Sequence, residues 1–499
     1  MRRPRGSGRI EVTTSLRSLQ GPDYWLTRLV LERALGAVYC VAFLVAANQF
    51  RPLLGEHGLL PAPAYLSRVS FWRAPSLFHL RYSDRLLGSV ALTGVLLGLA
   101  VVLGLPDRAP VWVSILVWFG LWALYLSIVN VGQIFYAFGW ETLLLEAGFL
   151  AILLGSGAAT TPWLLIVLFR WLLFRVEFGA GLIKLRGDRC WRDLTCLYYH
   201  HETQPMPNPL SWYFHHLPRL LHRLEVLGNH FAQLVLPFFL FAPQPIASAA
   251  GGVILATQAW LVLSGNFSWL NFLTMTLALS AFDDHALGLV LPLHPPEQVL
   301  LPVLWQWSVV CLAALIVVLS YRPLRNMISR HQLMNFSFDP FRLVNTYGAF
   351  GSITRQRHEV VVEGSEDPNS ADPGWKEYEF KGKPGHPMRR PHQFAPYHLR
   401  LDWLMWFAAM ESPIHHQWFL ALVVKLLEGD RATLRLLKNN PFPANPPAAV
   451  RARLYLYRFS SPGERRRDGA WWVRTLSGDY LRPIGLAGLG RGPGFGRQR

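Results

Sequence analysis

The sequence predicts an α-helical multi-pass membrane protein with a C-terminal α+β (strand-rich) soluble domain. Charged residues make up only 16% of the 499-residue chain, while hydrophobic residues make up 52%. A soluble domain carries roughly 25% charged residues. No Asp, Glu, Lys or Arg occurs between residues 109 and 140 or between 231 and 282, and both runs exceed the roughly 20 apolar residues that a membrane-crossing helix needs. From residue 322 onward charge returns, with 27 Lys and Arg against 15 Asp and Glu.

This change in composition divides the chain into four expected parts. Residues 1–29 form a cytoplasmic N-terminal segment, because Arg2, Arg3, Arg5 and Arg9 precede the first apolar run. Residues 30–321 form a multi-pass transmembrane body with a polar connector at 184–230. Residues 322–482 form a soluble tail domain, and residues 483–499 form a disordered segment rich in Gly and Arg. The apolar runs predict six to nine helices at membrane depth, at 30–50, 86–105, 111–130, 139–155, 161–184, 231–243, 246–265, 268–282 and 299–320.

The tail domain reads as mixed α and β. Alternating apolar and polar residues predict strands, and amphipathic spacing predicts helices. The expected strands are 357–364, 375–381, 454–459 and 471–475, and the expected helices are 400–411 and 417–428. The basic charge carries no nucleic-acid motif, so the bilayer with its anionic head groups is the expected partner, and nucleic acid is not.

Ionisable residues inside the apolar runs are candidates for function, because a charge in a membrane needs a partner or a role. The run 161–184 contains Arg170, Arg175, Glu177 and Lys184, and the run 139–155 contains Glu141. On a helix, residues 170, 177 and 184 share one face. One interpretation is an ion-paired ladder that ties helices together. The other is a polar pocket in which Lys184 acts as a catalytic base, a nucleophile or a ligand anchor.

Small and acidic residues near this run bear on both interpretations. Gly179, Ala180 and Gly181 would let another helix approach closely. Asp283 and Asp284 either supply counter-charges or mark the end of a span.

Cys190 and Cys196 are the redox candidates. On a helix their Cα atoms would lie about 9 Å apart, too far for a disulfide, which needs less than about 7 Å. A bond between them therefore requires non-helical backbone, and buried thiols are the favoured expectation.

Histidines of the connector are candidate metal ligands. The stretch His200-His201-Glu202 and the pair His215-His216 follow no standard ligand spacing. The sequence therefore predicts no metal and no cofactor.

Five long strings, in this order, resemble the lipase maturation factor family. They are NVGQIFYAFGWE from Asn130, GAGLIKLRGDRCWRDLTCL from Gly179, HHETQPMPNPLSWYFHH from His200, LVNTYGAFGSITRQRHEV from Leu343 and RLDWLMWFAA from Arg400. The resemblance runs from about residue 23 to about residue 482. It implies a multi-pass protein of the endoplasmic reticulum membrane, or of the cytoplasmic membrane in a bacterial host. It further implies a chaperone-like factor that helps secreted lipases, or related exported proteins, to fold and assemble.

The resemblance also implies a client-binding site in a lumenal tail domain, and therefore an odd number of spans. The string PYHLRLDWLMWF supplies the candidate residues Tyr397, Arg400, Asp402, Trp403 and Trp406. Trp403 and Trp406 share one helical face, which either packs on the sheet of the tail domain or forms a client-binding aromatic surface.

Two departures and a second resemblance bear on function. Gly382 and His392 stand where animal members of the family have cysteines, which leaves this chain without that pair. The string GAGLIKLRGDRCW resembles the stretch around the catalytic lysine of vitamin K-dependent γ-carboxylase. That resemblance implies an alternative function, in which a membrane enzyme uses Lys184 as a base on a quinone or lipid-like substrate.

Overall fold

The computed structural model of the chain describes residues 20–489. At residues 1–19 and 490–499, the expectations of a cytoplasmic segment and of a disordered Gly/Arg-rich terminus lie outside the described residues. At residues 483–489 the expected disorder is wrong, because a strand continues to Ile484 and a short helix, Leu486–Leu489, follows it. The described part forms a helical body followed by a tail domain, as the composition predicts.

Nine main helices build the described body. They are α1 (Trp25–Leu54), α2 (Asp84–Val102), α3 (Val111–Val131), α4 (Gly139–Ala151), α5 (Trp163–Arg186), α6 (Arg219–Leu234), α7 (Ile246–Ser264), α8 (Leu270–Ala278) and α9 (Val303–Leu319). Within residues 20–489, five are long and apolar enough to cross a membrane: α1, α2, α3, α7, and α9 with its continuation to Ile328. The run 231–243 is not one helix, because α6 ends at Leu234 and a short helix, Leu236–Phe239, follows it.

Hydrogen bonds gather the loops of the body at its two ends. At one end the Asp284 carboxylate accepts the Trp25 N–H at 2.9 Å, and Arg28 donates to the Gly157 carbonyl at 2.6 Å. Asp283 accepts the N–H of Ala286 and so caps a short helix. The acidic pair therefore marks the end of a span, and within residues 20–489 it forms no salt bridge with the basic residues of α5. The opposite end of the body meets the tail domain.

The connector is largely helical. Short helices at Leu197–Thr203 and Ser211–His215 precede α6, and these elements pack between the body and the tail domain. One face of α6 is exposed and apolar, a pattern typical of helices that lie in a membrane interface. That face carries Leu220, Leu221, Leu224, Leu227 and Phe231.

The tail domain contains one antiparallel sheet of four strands. They are β1 (Arg357–Ser365), β2 (Lys376–Tyr378), β3 (Ala449–Phe459) and β4 (Trp472–Ile484), in the order β2-β1-β3-β4. Between β2 and β3 come the helices α10 (Arg400–Ala408) and α11 (Gln417–Leu427). The buried apolar side chains of the body and of the tail domain join in one continuous core, so the junction between them is packed like the interior of a single domain.

Candidate functional site at the junction of body and tail domain

A buried ion pair joins α4 of the body to α10 of the tail domain. Arg400 Nη1 donates to a Glu141 carboxylate oxygen at 2.8 Å and to the Phe135 carbonyl at 2.7 Å. The Tyr125 hydroxyl donates to the other carboxylate oxygen. Both charged side chains are 0% exposed. Removing one partner of such a pair leaves an uncompensated buried charge, at a cost of about 3–5 kcal/mol.

Further contacts hold the start of α10 against α1. The Gln49 side chain donates to the His398 carbonyl at 2.6 Å and accepts the Arg400 N–H at 3.0 Å. The Arg400 guanidinium stacks 3.4 Å from the Tyr136 ring centroid, an arrangement that favours a cation. Burial lowers the pKa of Arg400, but the Glu141 carboxylate together with Tyr136 and Tyr125 outweighs burial, so the pKa is raised overall. Burial, together with the Arg400 charge, lowers the pKa of His398 to about 4.

Aromatic rings fill the space around the ion pair. The Trp403 ring centroid lies 5.0 Å from that of Trp140 and 5.8 Å from that of Phe138. Trp406 is half-buried, and its indole N–H donates to the Thr203 carbonyl of the connector at 3.1 Å. Aromatic pairs at these separations stabilise beyond their buried area, so this face of α10 packs on the body and the connector.

The five residues implied for client binding therefore lie at this junction. Asp402 is buried and accepts the N–H groups of Gly382 at 2.6 Å and Lys383 at 3.2 Å, and burial raises the pKa of Asp402. Tyr397 is half-buried, with its hydroxyl 3.4 Å from the Asn48 side chain. Three of the five side chains, those of Arg400, Asp402 and Trp403, are buried. Arg400 and Trp403 contact the body, whereas Asp402 bonds within the tail domain.

The connector supports the sheet of the tail domain. Arg357 of β1 donates to the carbonyls of Glu202 and Pro205 at 3.0 Å each, and it pairs with Glu359 at 2.6 Å. The Glu202 carboxylate accepts the Phe459 N–H of β3 at 2.7 Å. The connector is thus an integral part of the junction.

A second buried ion pair, between α4 and α5, binds the segment that leads into the tail domain. Arg175 pairs with Glu146 and donates to the Asn345 carbonyl at 2.8 Å. Glu146 also accepts the Asn345 N–H at 3.1 Å and the Tyr347 hydroxyl at 2.7 Å. The packing needs the glycine that was singled out in α5, since a Cβ at Gly179 would lie 2.6 Å from the Tyr347 carbonyl oxygen.

The other charges of α5 find neutral partners. Arg170 donates to the carbonyls of Ser280 at 2.8 Å and Leu240 at 3.1 Å. Within the described residues, Arg170, Glu177 and Lys184 form no ion pair with one another. At these three positions, other parts of the body supply carbonyl and amide groups as partners.

Glu177 and Lys184 both bind neutral side chains of neighbouring helices. Glu177 accepts the side-chain N–H of Gln258 on α7 at 2.7 Å. The Lys184 ammonium donates to the side-chain oxygens of Asn229 at 2.7 Å and Gln233 at 2.9 Å, both on α6. These partners satisfy Lys184 as a buried, hydrogen-bonded ammonium.

The two connector cysteines form a disulfide, and their Cα atoms lie 4.8 Å apart. The expectation of buried thiols is therefore wrong. The condition of non-helical backbone is met, because the helix Arg189–Arg192 ends before Leu194, whose φ is 57°. Structural disulfides form in oxidising compartments.

Sequence reasoning missed several residues of the junction. Gln49, Asn345 and Arg357 received no role, although Asn345 and Arg357 lie within a string that carries the family resemblance. A buried amide or guanidinium has no sequence signature of its own, because its partners come from distant parts of the chain.

Comparisons with known proteins agree with this architecture. The family model described as "Lipase maturation factor transmembrane domain" matches residues 26–289, and "Lipase maturation factor C-terminal domain" matches residues 343–482. The chain is 43% identical over 526 residues to "Lipase maturation factor 1" of Bos taurus, covering 96% of this chain and 92% of that protein.

Two human relatives extend the match. The human "Lipase maturation factor 1" is 44% identical over 504 residues, covering 93% of this chain and 89% of that protein. The human "Lipase maturation factor 2" is 30% identical over 601 residues, covering 92% and 83%. No solved structure matches the chain.

Proposed function

The chain belongs to the lipase maturation factor family, and we propose that this membrane-embedded, chaperone-like factor uses its tail domain to hold secreted lipases or related exported proteins while they fold. The observation that carries the proposal is the buried Arg400–Glu141 pair. This pair fixes the tail domain to one end of the helical body, and the N-terminal end of α1 lies at the other. A tail domain that is firmly attached to the membrane body stays at the membrane surface, on the side where exported proteins fold. There it can bind clients.

We further propose that the tail domain and the connector lie in the lumen of the endoplasmic reticulum, or outside the cytoplasmic membrane in a bacterial host. The Cys190–Cys196 disulfide supports an oxidising side for the connector. The connector contacts the tail domain directly, through Arg357 and Glu202, so both belong on the same side.

Two glycosylation-type motifs test this topology. Asn335-Phe-Ser begins with an exposed asparagine, whereas Asn266-Phe-Ser begins with one that is 3% exposed and bonded to the tail domain. In mammalian microsomes we expect a glycosidase-sensitive mass shift that Asn335→Gln removes and Asn266→Gln leaves. Digestion of the tail domain by protease added to sealed microsomes would contradict a lumenal tail.

For the client surface, we propose a groove beside α10. It has a volume of about 410 Å³, and Trp406 lies in its wall together with Met410, which is 45% exposed. Leu454 of β3 also lines the groove, and Phe407, which is 41% exposed, packs against Trp406 on α10. Thr354, Gln356 and His358 also line the groove. A groove that combines exposed apolar side chains with polar ones suits an extended amphipathic segment of an incompletely folded client.

Paired substitutions test the groove. Phe407→Ser with Met410→Ser is expected to reduce the activity of a co-expressed secreted lipase, such as lipoprotein lipase, without lowering the abundance of the factor. Leu476→Ser is the matched control, because Leu476 is 48% exposed on β4 but pairs with Tyr455 and not with the groove residue Leu454. Normal lipase activity from the double variant would rule the groove out as the client site.

A further inference from the structure

Three side chains of the connector converge in a buried cluster that the contacts described above do not use. His201 lies on the helix Leu197–Thr203, and His222 and Glu225 lie one turn apart on α6. Their side-chain ligand atoms all lie within 4.8 Å of one another. His201 and His222 are 1% and 2% exposed. Spacing along the sequence did not reveal the cluster, because folding brings His201 to residues more than 20 positions away.

The atoms that converge are buried and unpartnered among the described residues. They are both ring nitrogens of His201, Nδ1 of His222 and Oε2 of Glu225. Glu225 Oε2 lies 3.7 Å from His201 Nε2 and 3.8 Å from His222 Nδ1, and both separations are too long for hydrogen bonds. A buried polar atom without a partner costs about 1–3 kcal/mol, so the three that face one another, His201 Nε2, His222 Nδ1 and Glu225 Oε2, favour a further ligand.

The remaining polar atoms of the cluster are bonded so that these lone pairs face inward. The Trp260 indole N–H of α7 donates to Glu225 Oε1 at 2.7 Å, which leaves Oε2 free. His222 Nε2 lies 3.4 Å from the His215 carbonyl. Since a carbonyl only accepts, this contact places the proton of a neutral His222 on Nε2 and leaves the Nδ1 lone pair unprotonated. Outer contacts of this kind orient metal-binding histidines and carboxylates.

We propose that His201, His222 and Glu225 bind one zinc ion, through Nε2, Nδ1 and Oε2 respectively. Two imidazoles and a carboxylate suit zinc and similar first-row cations, whereas Mg²⁺ and Ca²⁺ take oxygen ligands. Zinc–ligand distances of about 2.0–2.1 Å place neighbouring ligands of a tetrahedral site about 3.3 Å apart. The separations of 3.7 Å and 3.8 Å from Glu225 Oε2 exceed this by about half an ångström. The ligand atoms of the two histidines lie within 4.8 Å of each other, so rotations of the side chains close the site around the ion.

The position of the site gives the ion a structural role. It would tie the helix Leu197–Thr203 to α6, and Glu202 of that helix holds β3 of the tail domain through the Phe459 N–H. The Glu225 side chain is 15% exposed, which provides a path for the ion. Water is the expected fourth ligand. The zinc site therefore stabilises the attachment of the tail domain to the connector.

Zinc binding by the full-length protein in detergent tests the proposal. After loading with zinc chloride and gel filtration, elemental analysis is expected to find stoichiometric zinc. Glu225→Gln should weaken zinc binding at least about tenfold, yet keep the Trp260 hydrogen bond through its amide oxygen. His222→Gln is the second ligand variant, and His331→Ala, at an exposed histidine, is the matched control that retains zinc.

Two further measurements separate loss of metal from loss of fold. Zinc is expected to raise the melting temperature of the wild type and of His331→Ala, but not that of Glu225→Gln. Cobalt loaded in place of zinc should give the visible absorption bands of a tetrahedral nitrogen–oxygen site in the wild type, which needs no variant to fold. Absence of stoichiometric zinc from the wild type, or full zinc retention by both ligand variants, would overturn the proposal.

Discussion

The buried charges of the body fall into two groups that differ in what they contact. Glu141 and Glu146 of α4 each pair with an arginine and bind segments that belong to, or lead into, the tail domain. Glu177 and Lys184 of α5 bind neutral amide groups of neighbouring helices. The first group joins two parts of the molecule, and the second joins helices within one part.

This difference matters because the energetic consequences of removing a charge differ. A buried carboxylate paired with an arginine leaves an uncompensated cation when it is neutralised. A carboxylate that accepts one amide N–H can be replaced by a side-chain amide at small cost, because the amide oxygen accepts the same N–H. The comparison therefore predicts that charge-neutralising substitutions act on the tail junction far more than on the helix contacts of α5.

The largest expected effect follows from Glu141→Gln. The substitution leaves Arg400 buried without its counter-charge and should cost about 3–5 kcal/mol. We expect the tail domain to become sensitive to limited proteolysis and the unfolding midpoint in denaturant to fall. Glu177→Gln is the matched control, with an expected cost of less than about 1 kcal/mol, because its amide oxygen can accept from Gln258. Equal destabilisation by both variants would remove the distinction between the two groups.

The extent to which the sequence predicts this molecule differs between fold and site. Long uncharged runs locate α2, α3, α7 and α9, since a membrane-crossing helix must be apolar along its whole length. β4 extends to Ile484, well beyond the predicted 471–475, because it is an edge strand with charged residues that obscure the alternation.

Partners across the fold were beyond sequence reasoning. The helical period correctly places Glu177 and Lys184 on one face of α5, but their partners lie on α7 and α6. The disulfide depends on the left-handed backbone conformation of Leu194, which no local sequence pattern predicts. Gly181 is an exception: the prediction of close helix approach is confirmed, because a Cβ there would lie 2.6 Å from Leu234 of α6.

The second largest expected effect is a pH dependence of stability that comes from His398 at the junction. His398 has a native pKa of about 4, whereas an unfolded histidine has a pKa of about 6.5. Below pH 6.5 the unfolded chain therefore binds a proton that the native state excludes. Stability should fall as pH decreases from about 6.5 to about 4, by about 1.4 kcal/mol per pH unit from this residue, and should be insensitive to it above pH 7.

His398→Phe isolates that contribution. Neither ring nitrogen of His398 has a hydrogen-bond partner in residues 20–489, and the ring packs against Trp140, so phenylalanine should fit. Denaturant unfolding of the solubilised protein between pH 7.5 and pH 4.5 provides the measurement. We expect the wild type to lose more stability than the variant over this range, and parallel curves would contradict the assignment.

The smallest expected effect is at Lys184, where the comparison can be tested without removing a charge. Lys184→Arg keeps the cation and its ability to donate to Asn229 and Gln233, but changes the shape of the donor group. We expect a cost of less than about 1.5 kcal/mol, with membrane abundance and lipase maturation close to those of the wild type. Lys184→Ala should cost more, because two amide oxygens would lose their donor.

A lysine that abstracts protons would behave differently, since arginine stays protonated and would abolish activity as fully as alanine. Equal loss of lipase maturation in both variants at normal abundance would therefore move Lys184 from the group of helix contacts to a chemical role.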